Sequence, residues 1–453
     1  MRSFNRVRPV TFADCLDREV FTFVSCEGYE DRYPTQEAVR LPRERVKELR
    51  AASGRLYRIF QKTMQVIQAG DATLLDSLGI ALPLRPFLDI KNRLELPTYL
   101  SRFDYVLRED GKFKMVELNA DTPCAVVEAY YGNQVAADFF REENPNKGCV
   151  ESLRRFLVQM YQSFQLMAMD LSDGEMSYDR PFVFSCFDDY VEDKATTLFL
   201  MNQLKLALKD MYPLIDTEQA VCYCSFYDLQ VDEDGVLLPD GRNAGAIYRL
   251  HPMELLIEEK AEDDTSLGEY FMDRYRAGCF QMFNPPEAIV LQSKALQALI
   301  WALHEDRKFF TAEEHEVIGE YMLPSYFDEK DFLANASSSL EYVKKPVWGR
   351  EGSRISVVKP VSSSLREEKR TEILYEKEIT EDDPIQLESG AYLYQEFAET
   401  KQVSLRADSG TKEGYLTFSC FLHGKNPSAI YARFSEYEIA GIESYWAPIL
   451  YED

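Results

Sequence analysis

The sequence predicts a mixed helix-and-sheet protein built from more than one packed unit. Strand-like alternation flanks Asp110-Gly111, short apolar strands alternate with helical runs through the middle of the chain, and a glycine-rich turn separates two strands between Leu340 and Val358. At 453 residues the chain exceeds what one hydrophobic core normally serves, so two or three sub-domains are expected. With 45% hydrophobic and 13% aromatic residues, it has the material for large cores.

From about Arg43 to Leu78 the pattern is helical, with Leu56, Ile59, Phe60, Met64 and Ile67 returning on one face. The hairpin around Asp110 follows, and the small and apolar residues of Ala125 to Phe140 suggest a helix packed behind it. Pro181 to Phe187 reads as a short strand ending in Asp188, Asp189 and Tyr190 before a helical run from Glu192 to Lys209. Ala220 to Phe226 and Ala246 to Leu250 read as further strands, the latter leading through Pro252 into a helix. Such alternation implies a mostly parallel, covered sheet. Ligands bind beyond the carboxyl ends of strands in such sheets, which points to Asp188, Asp189, Glu192, Arg249 and His251. For any one of them a helix cap or a solvated loop side chain is the default reading. Lys294 opens an apolar segment at an expected strand-to-helix boundary, Thr311 and Glu314 form a capping box, and the charged stretch from Ser362 to Asp383 reads as an exposed loop.

The hairpin carries the first chemistry. If Asp110 and Gly111 form a two-residue turn, cross-strand partners have numbers summing to 221. Asp104 then faces Glu117 and Arg102 faces Asn119 on one side of the ribbon, while Phe103, Tyr105, Val116 and Leu118 form core on the other. Two carboxylates about 5 Å apart repel by about 3 kcal/mol at an effective dielectric near 20. A divalent cation with oxygen ligands would relieve this, since Mg²⁺ is held by one or two carboxylates, waters and substrate phosphates. An exposed hairpin whose charges are solvated or paired with Arg102 would read the same.

Leu340 to Val358 carries the second constellation: a strand with Lys344 and Lys345, a turn with Gly349, Arg350 and Gly352, then another strand. Backbone amides of a glycine turn approach phosphate oxygens closely, and an adjoining lysine supplies a point charge. This is the layout of a lid over nucleotide phosphates, although a plain tight hairpin would look alike. Tyr392 to Phe397 is an alternating strand ending in Gln395 and Glu396, and Arg433 interrupts the apolar segment Ile430 to Ser435, where a buried guanidinium wants an anion.

The formal charge of −26 argues against nucleic-acid binding through the phosphate backbone. Nine scattered cysteines without metal spacing suggest reduced thiols in a cytoplasmic protein. No apolar run approaches the ~18 residues of a membrane span, so no membrane partner is expected.

RFD, VELNADTP, VKKPVWGREG and YLYQEF, in this order and at roughly this spacing, resemble the synthetase half of glutathionylspermidine synthase and its stand-alone relatives. The resemblance implies a circularly permuted ATP-grasp-like fold, in which metal carboxylates precede the nucleotide lysines, with an accompanying α/β pre-ATP-grasp-type substrate domain. It implies three segments: 1–130 with helical scaffold and metal hairpin, 131–290 as acceptor domain, and 291–453 as nucleotide part with the lid. The amidase half of some members is expected to be absent. The implied activity is ATP- and Mg²⁺-dependent joining of a small carboxylate, such as a thiol peptide, to an amine or polyamine through an acyl phosphate, in a protein compatible with a homodimer. The rival expectation is a nucleotide-binding protein of the same fold without turnover. By the same resemblance Asp104, Glu117 and Asn119 are the magnesium ligands, and Lys294 and Lys345 hold ATP phosphates under the loop of Gly349, Arg350 and Gly352. Gln395 and Glu396 flank the adenine, Arg102, Arg350 and Arg433 are the catalytic arginines, and Thr122 and Glu192 contact the acid substrate.

Overall fold

Apolar residues spaced three and four apart wind Arg43–Gln68 into one helix, with Leu49, Leu56, Ile59, Phe60, Met64 and Ile67 all buried. The expected continuation to Leu78 is a separate short helix, Ala72–Ser77. The computed structural model describes residues 10–25, 30–68, 70, 72–88, 94–171, 180–261, 263–335, 341–350, 352–361, 370–376 and 391–452.

The long helix covers an antiparallel sheet that joins distant parts of the chain. Its order is Tyr445–Ala447, Asn426–Ser435, Thr411–His423, Leu100–Leu107, Phe113–Asn119, with Val403–Arg406 also paired to Thr411–His423. Phe60 meets Phe103 edge-on with ring centroids 5.4 Å apart, and the Ser53 and Tyr105 hydroxyls lie 2.8 Å apart.

The hairpin of this sheet departs from its expected turn and still reaches the expected pairing at the site. The loop has three residues, Glu109, Asp110 and Gly111, closed by the Arg108 amide on the Lys112 carbonyl at 2.9 Å, with Gly111 at φ +80. Near the tip the strands therefore pair one residue out of the expected register, Leu107 opposite Phe113. A bulge between Asp104 and Tyr105 leaves Val116 unpaired and restores the offset, so that Asp104 faces Glu117 and Arg102 faces Asn119. Val116 consequently leaves the core position expected for it, and Met115, fully buried, packs there instead.

A second antiparallel sheet has the order Ser325–Tyr326, Tyr392–Glu396, Tyr342–Pro346, Ser356–Val361, Arg370–Glu376. Its last strand lies within the stretch Ser362 to Asp383 that reads as loop; the rest of that stretch is outside the described residues. Lys294 sits at a helix-helix corner rather than after a strand, between Ala288–Gln292 and Ala295–Asp306. A short apolar run does not tell strand from buried helix.

The third sheet is parallel, in the order Val221–Tyr223, Phe182–Ser185, Ala246–Arg249, Gln281–Phe283, with the helix Val191–Met211 packed on it and against Cys149–Leu171. Phe182, Val183 and Phe184 are all buried, as a strand covered on both faces requires.

Two polar clamps fix this sheet to the hairpin. The Asn284 amide accepts from the Tyr99 and Leu100 amides at 2.6 and 3.0 Å and donates to the carbonyls of Leu100, Ala120 and Asp121 at 2.8, 3.1 and 2.8 Å. Arg249, fully buried, donates two hydrogen bonds to Asp121 at 2.5 and 2.9 Å, and Asp121 also accepts the Met253 amide at 2.9 Å. The arginine that the strand-end rule offers as a ligand contact is thus saturated by the loop after the hairpin. The eight described cysteines are free thiols, and no described helix is long and apolar enough to cross a membrane.

Candidate active site

Both antiparallel sheets open onto one cleft. Arg102, Asp104, Glu117, Lys294, Lys345, Gly349, Arg350, Gly352, Gln395, Glu396 and Arg433 all line it, around about 1090 Å³ of empty space that includes its mouth. The hairpin supplies the first three, the helix corner Lys294, and the second sheet and its turn the next six. Asn119, Thr122 and Glu192 lie outside the lining.

Arg102 grips Asp104 at two points, Nε to Oδ1 and Nη2 to Oδ2, both 2.7 Å, and its Nη1 donates to the Cys124 carbonyl at 2.8 Å. Asn119 Nδ2 reaches Asp104 Oδ2 at 3.0 Å and Glu117 Oε1 at 3.4 Å. Lys294 lies 3.6 Å from Glu117 Oε2 and donates to the Gly349 carbonyl at 2.8 Å. Lys345 donates to the Val116 carbonyl at 2.8 Å and to Gln395 Oε1 at 2.9 Å. The bulge is what turns that carbonyl and the Val116 side chain toward the cleft.

Burial alone would raise the Glu117 carboxyl, but the charges of Lys294, Lys345 and Arg102 bring it down to about 2. Lys345 is held down at about 7, first by burial and then by the charge of Lys294, against the pull of Glu117. Burial works against the Arg102 guanidinium, yet Asp104 raises it above its ordinary value. Opposite charges therefore face one another across the cleft floor.

Gln395 is buried and bonded on every side: its Nε2 donates to Gln297 Oε1 and Ser325 Oγ, both at 2.8 Å. It orients Lys345. Glu396 accepts from Arg108 Nη1 at 2.9 Å on the cleft wall. Gly352 has φ +73, which glycine adopts freely, and Arg350 reaches across to Glu254 Oε1 at 3.1 Å.

Beside the cleft, Cys124 links the hairpin to the parallel sheet's helix. Its carbonyl accepts Arg102, its Sγ lies 3.8 Å from Asp193 Oδ1, and its thiol is pushed up by burial, Asp193 and Glu192. Glu192 belongs to the first turn of Val191–Met211, and its field also reaches Tyr33. Thr122 is half-buried in the same region. Sequence reasoning missed Glu254, Arg108 and Tyr431; only their tertiary neighbours give them away.

The donor set suits a hard divalent cation, because one or two carboxylates suffice when phosphates complete the shell. Two opposed carboxylates, one of them held ionised, and an amide stand together on one ribbon face. Among the described residues no group of three or more His, Cys, Asp and Glu is placed to hold a metal unaided.

Two antiparallel sheets around a cleft of mixed charge, with a parallel sheet clamped beside them, make this a mixed helix-and-sheet protein. The family model described as glutathionylspermidine synthase preATP-grasp matches residues 5–451, and the chain belongs to that family, one of ATP-dependent ligases that form amides.

Proposed function

We propose that the protein joins a small carboxylate to an amine at the expense of ATP, with Mg²⁺, on a circularly permuted ATP-grasp-like core. The observation that carries this reading is the meeting of Glu117 with Lys294 and Lys345 in one cleft, carboxylate from the hairpin against ammonium groups from the later half of the chain.

A carboxylate is a poor electrophile, so it is first phosphorylated to an acyl phosphate that the amine attacks. Phosphoryl transfer asks mainly for positioning and charge stabilisation. Lys294 and Lys345 hold the phosphates, Gly349 and Gly352 let the backbone approach them, and Arg350 closes the turn over them. Arg102 and Arg433 face the transferred group, and Gln395 and Glu396 lie toward the base. Asp104, Glu117 and Asn119 would hold the cation, the Asn119 amide turning by 180° to offer its oxygen. When bound, the cation supplies charge neutralisation between phosphate oxygens. Thr122 and Glu192, beside Cys124, contact the acid. A closed turn keeps water from the acyl phosphate. Glutathione as the acid and a polyamine as the amine are the first pair to try.

The test is ADP release that depends on both an added acid and an added amine, scanned over peptides with free carboxylates and over mono- and polyamines. Lys345→Ala and Glu117→Gln are expected to abolish it. Turnover unchanged in both variants removes the cleft from the reaction.

A further inference from the structure

Glu128 is buried to 0% exposure in the π-helical turn Glu128–Gly132, a local irregularity that recurs at functional sites. Its Oε1 accepts the Tyr33 hydroxyl at 3.0 Å, while its Oε2 has no hydrogen-bond partner among the described residues. The Tyr33 hydroxyl lies 2.9 Å from that of Tyr431, and Tyr431 lines the cleft together with Arg433. With Tyr33 donating to Glu128, Tyr431 donates to Tyr33, and the Tyr431 oxygen is left as the acceptor at the cleft wall. An unbroken hydroxyl chain thus leads from the reaction space to a carboxyl that scaffolding alone leaves half unsatisfied.

We propose that Glu128 receives the proton that the amine substrate must lose, carried from the cleft through the hydroxyls of Tyr431 and Tyr33. This rests on the ligase reading above. An amine reaches the site as an ammonium ion whose nitrogen has no free electron pair. One N–H proton passes to the Tyr431 oxygen as the Tyr431 proton moves to Tyr33 and the Tyr33 proton to Glu128 Oε1. The freed pair forms the C–N bond at the acyl carbon, the bond from that carbon to the bridging oxygen breaks, and the phosphate leaves with that oxygen and the electron pair. The second N–H proton goes to the departing phosphate, giving amide and hydrogen phosphate; Glu128 later returns its proton to water. Burial, outweighing its own backbone amide, Tyr33, Arg433 and Arg102, lifts the Glu128 carboxyl to about 7, a value suited to accepting and releasing a proton near neutrality.

The experiment compares two nucleophiles with glutathione as the acid: spermidine, cationic at neutral pH, and hydroxylamine, which is uncharged there and needs no prior deprotonation. Glu128→Gln and Tyr33→Phe are assayed beside the wild type for ADP and for amide or hydroxamate. Tyr33→Phe serves should Glu128→Gln not fold. Spermidine-dependent turnover is expected to fall by about 100-fold or more, with hydroxamate formation within threefold of wild type. Equal losses with both nucleophiles, as for a purely structural role, or no loss with either, overturn the proton route. A wild type that turns over neither pair overturns the ligase reading for these substrates, and the proton route falls with it.

Discussion

Arg102 and Asp104, two residues apart on one strand, form a two-point ion pair with both N···O distances 2.7 Å, and each side chain is only 7% exposed. A cation held at the hairpin would share Asp104 with this guanidinium, which already meets one of the two carboxylates on the ribbon face.

Breaking that pair from one side leaves a buried charge unpaired. Asp104→Leu is expected to lower stability by about 3–5 kcal/mol, whereas Arg102→Met with Asp104→Leu recovers most of the loss. Urea midpoints of the two single variants and the double variant check this. Recovery of stability without recovery of turnover separates the structural role of the pair from its chemical one.

The Asp121–Arg249 pair has no exposure on either side chain, and Asp121 also satisfies the Met253 amide. Asp121→Ala strands all of these partners and is expected to cost about 3–5 kcal/mol. Asp121→Asn, which keeps acceptor capacity, should cost less. Denaturation curves order the two, and the reverse order contradicts the assignment of Asp121 as a clamp.

Gly132 has helical backbone angles, so its requirement is spatial: an added Cβ would lie 2.5 Å from Trp446 Cη2. Overpacking of this kind costs about 1–3 kcal/mol, which meets or exceeds the roughly 1 kcal/mol that alanine gains over glycine in a helix. A lower Tm for Gly132→Ala is expected, and a raised one would mean that the Trp446 ring yields freely.

His423 is buried, 2.8 Å from the Tyr130 hydroxyl and stacked on Phe156, and burial holds its imidazole down at about 3. Between the unfolded value near 6.5 and about 3, the unfolded chain binds a proton that the folded one does not. Its contribution to stability is therefore complete above pH 6.5 and is lost as the pH falls toward 3. His423→Gln should flatten the decline in unfolding free energy between pH 6.5 and 4, measured by denaturant titration at each pH.

Much of the site was legible because it depends on period and punctuation. Alternation about Asp110-Gly111 brings Asp104 opposite Glu117, and Lys345 is a charged residue in an apolar strand that needs a reason to be there. The three-residue loop and the bulge at Val116 were not legible, because the two irregularities offset each other and leave the pairing at the site unchanged. Arg249 looked like a ligand residue; its partner Asp121 lies in another element, and only packing reveals that the charge is already met. Glu128 and Tyr33 carried no local signal, since one sits in an apolar helical run and the other meets it only through the tertiary fold.

The most direct measurement is calorimetric titration of ATP into the wild type and Lys345→Ala, each with and without Mg²⁺. Wild-type binding that requires Mg²⁺ and weakens at least tenfold in Lys345→Ala is the expected result. Equal affinity in the two proteins, or binding indifferent to Mg²⁺, would contradict a cleft in which the hairpin carboxylates and the lid lysine hold one metal-bound triphosphate between them.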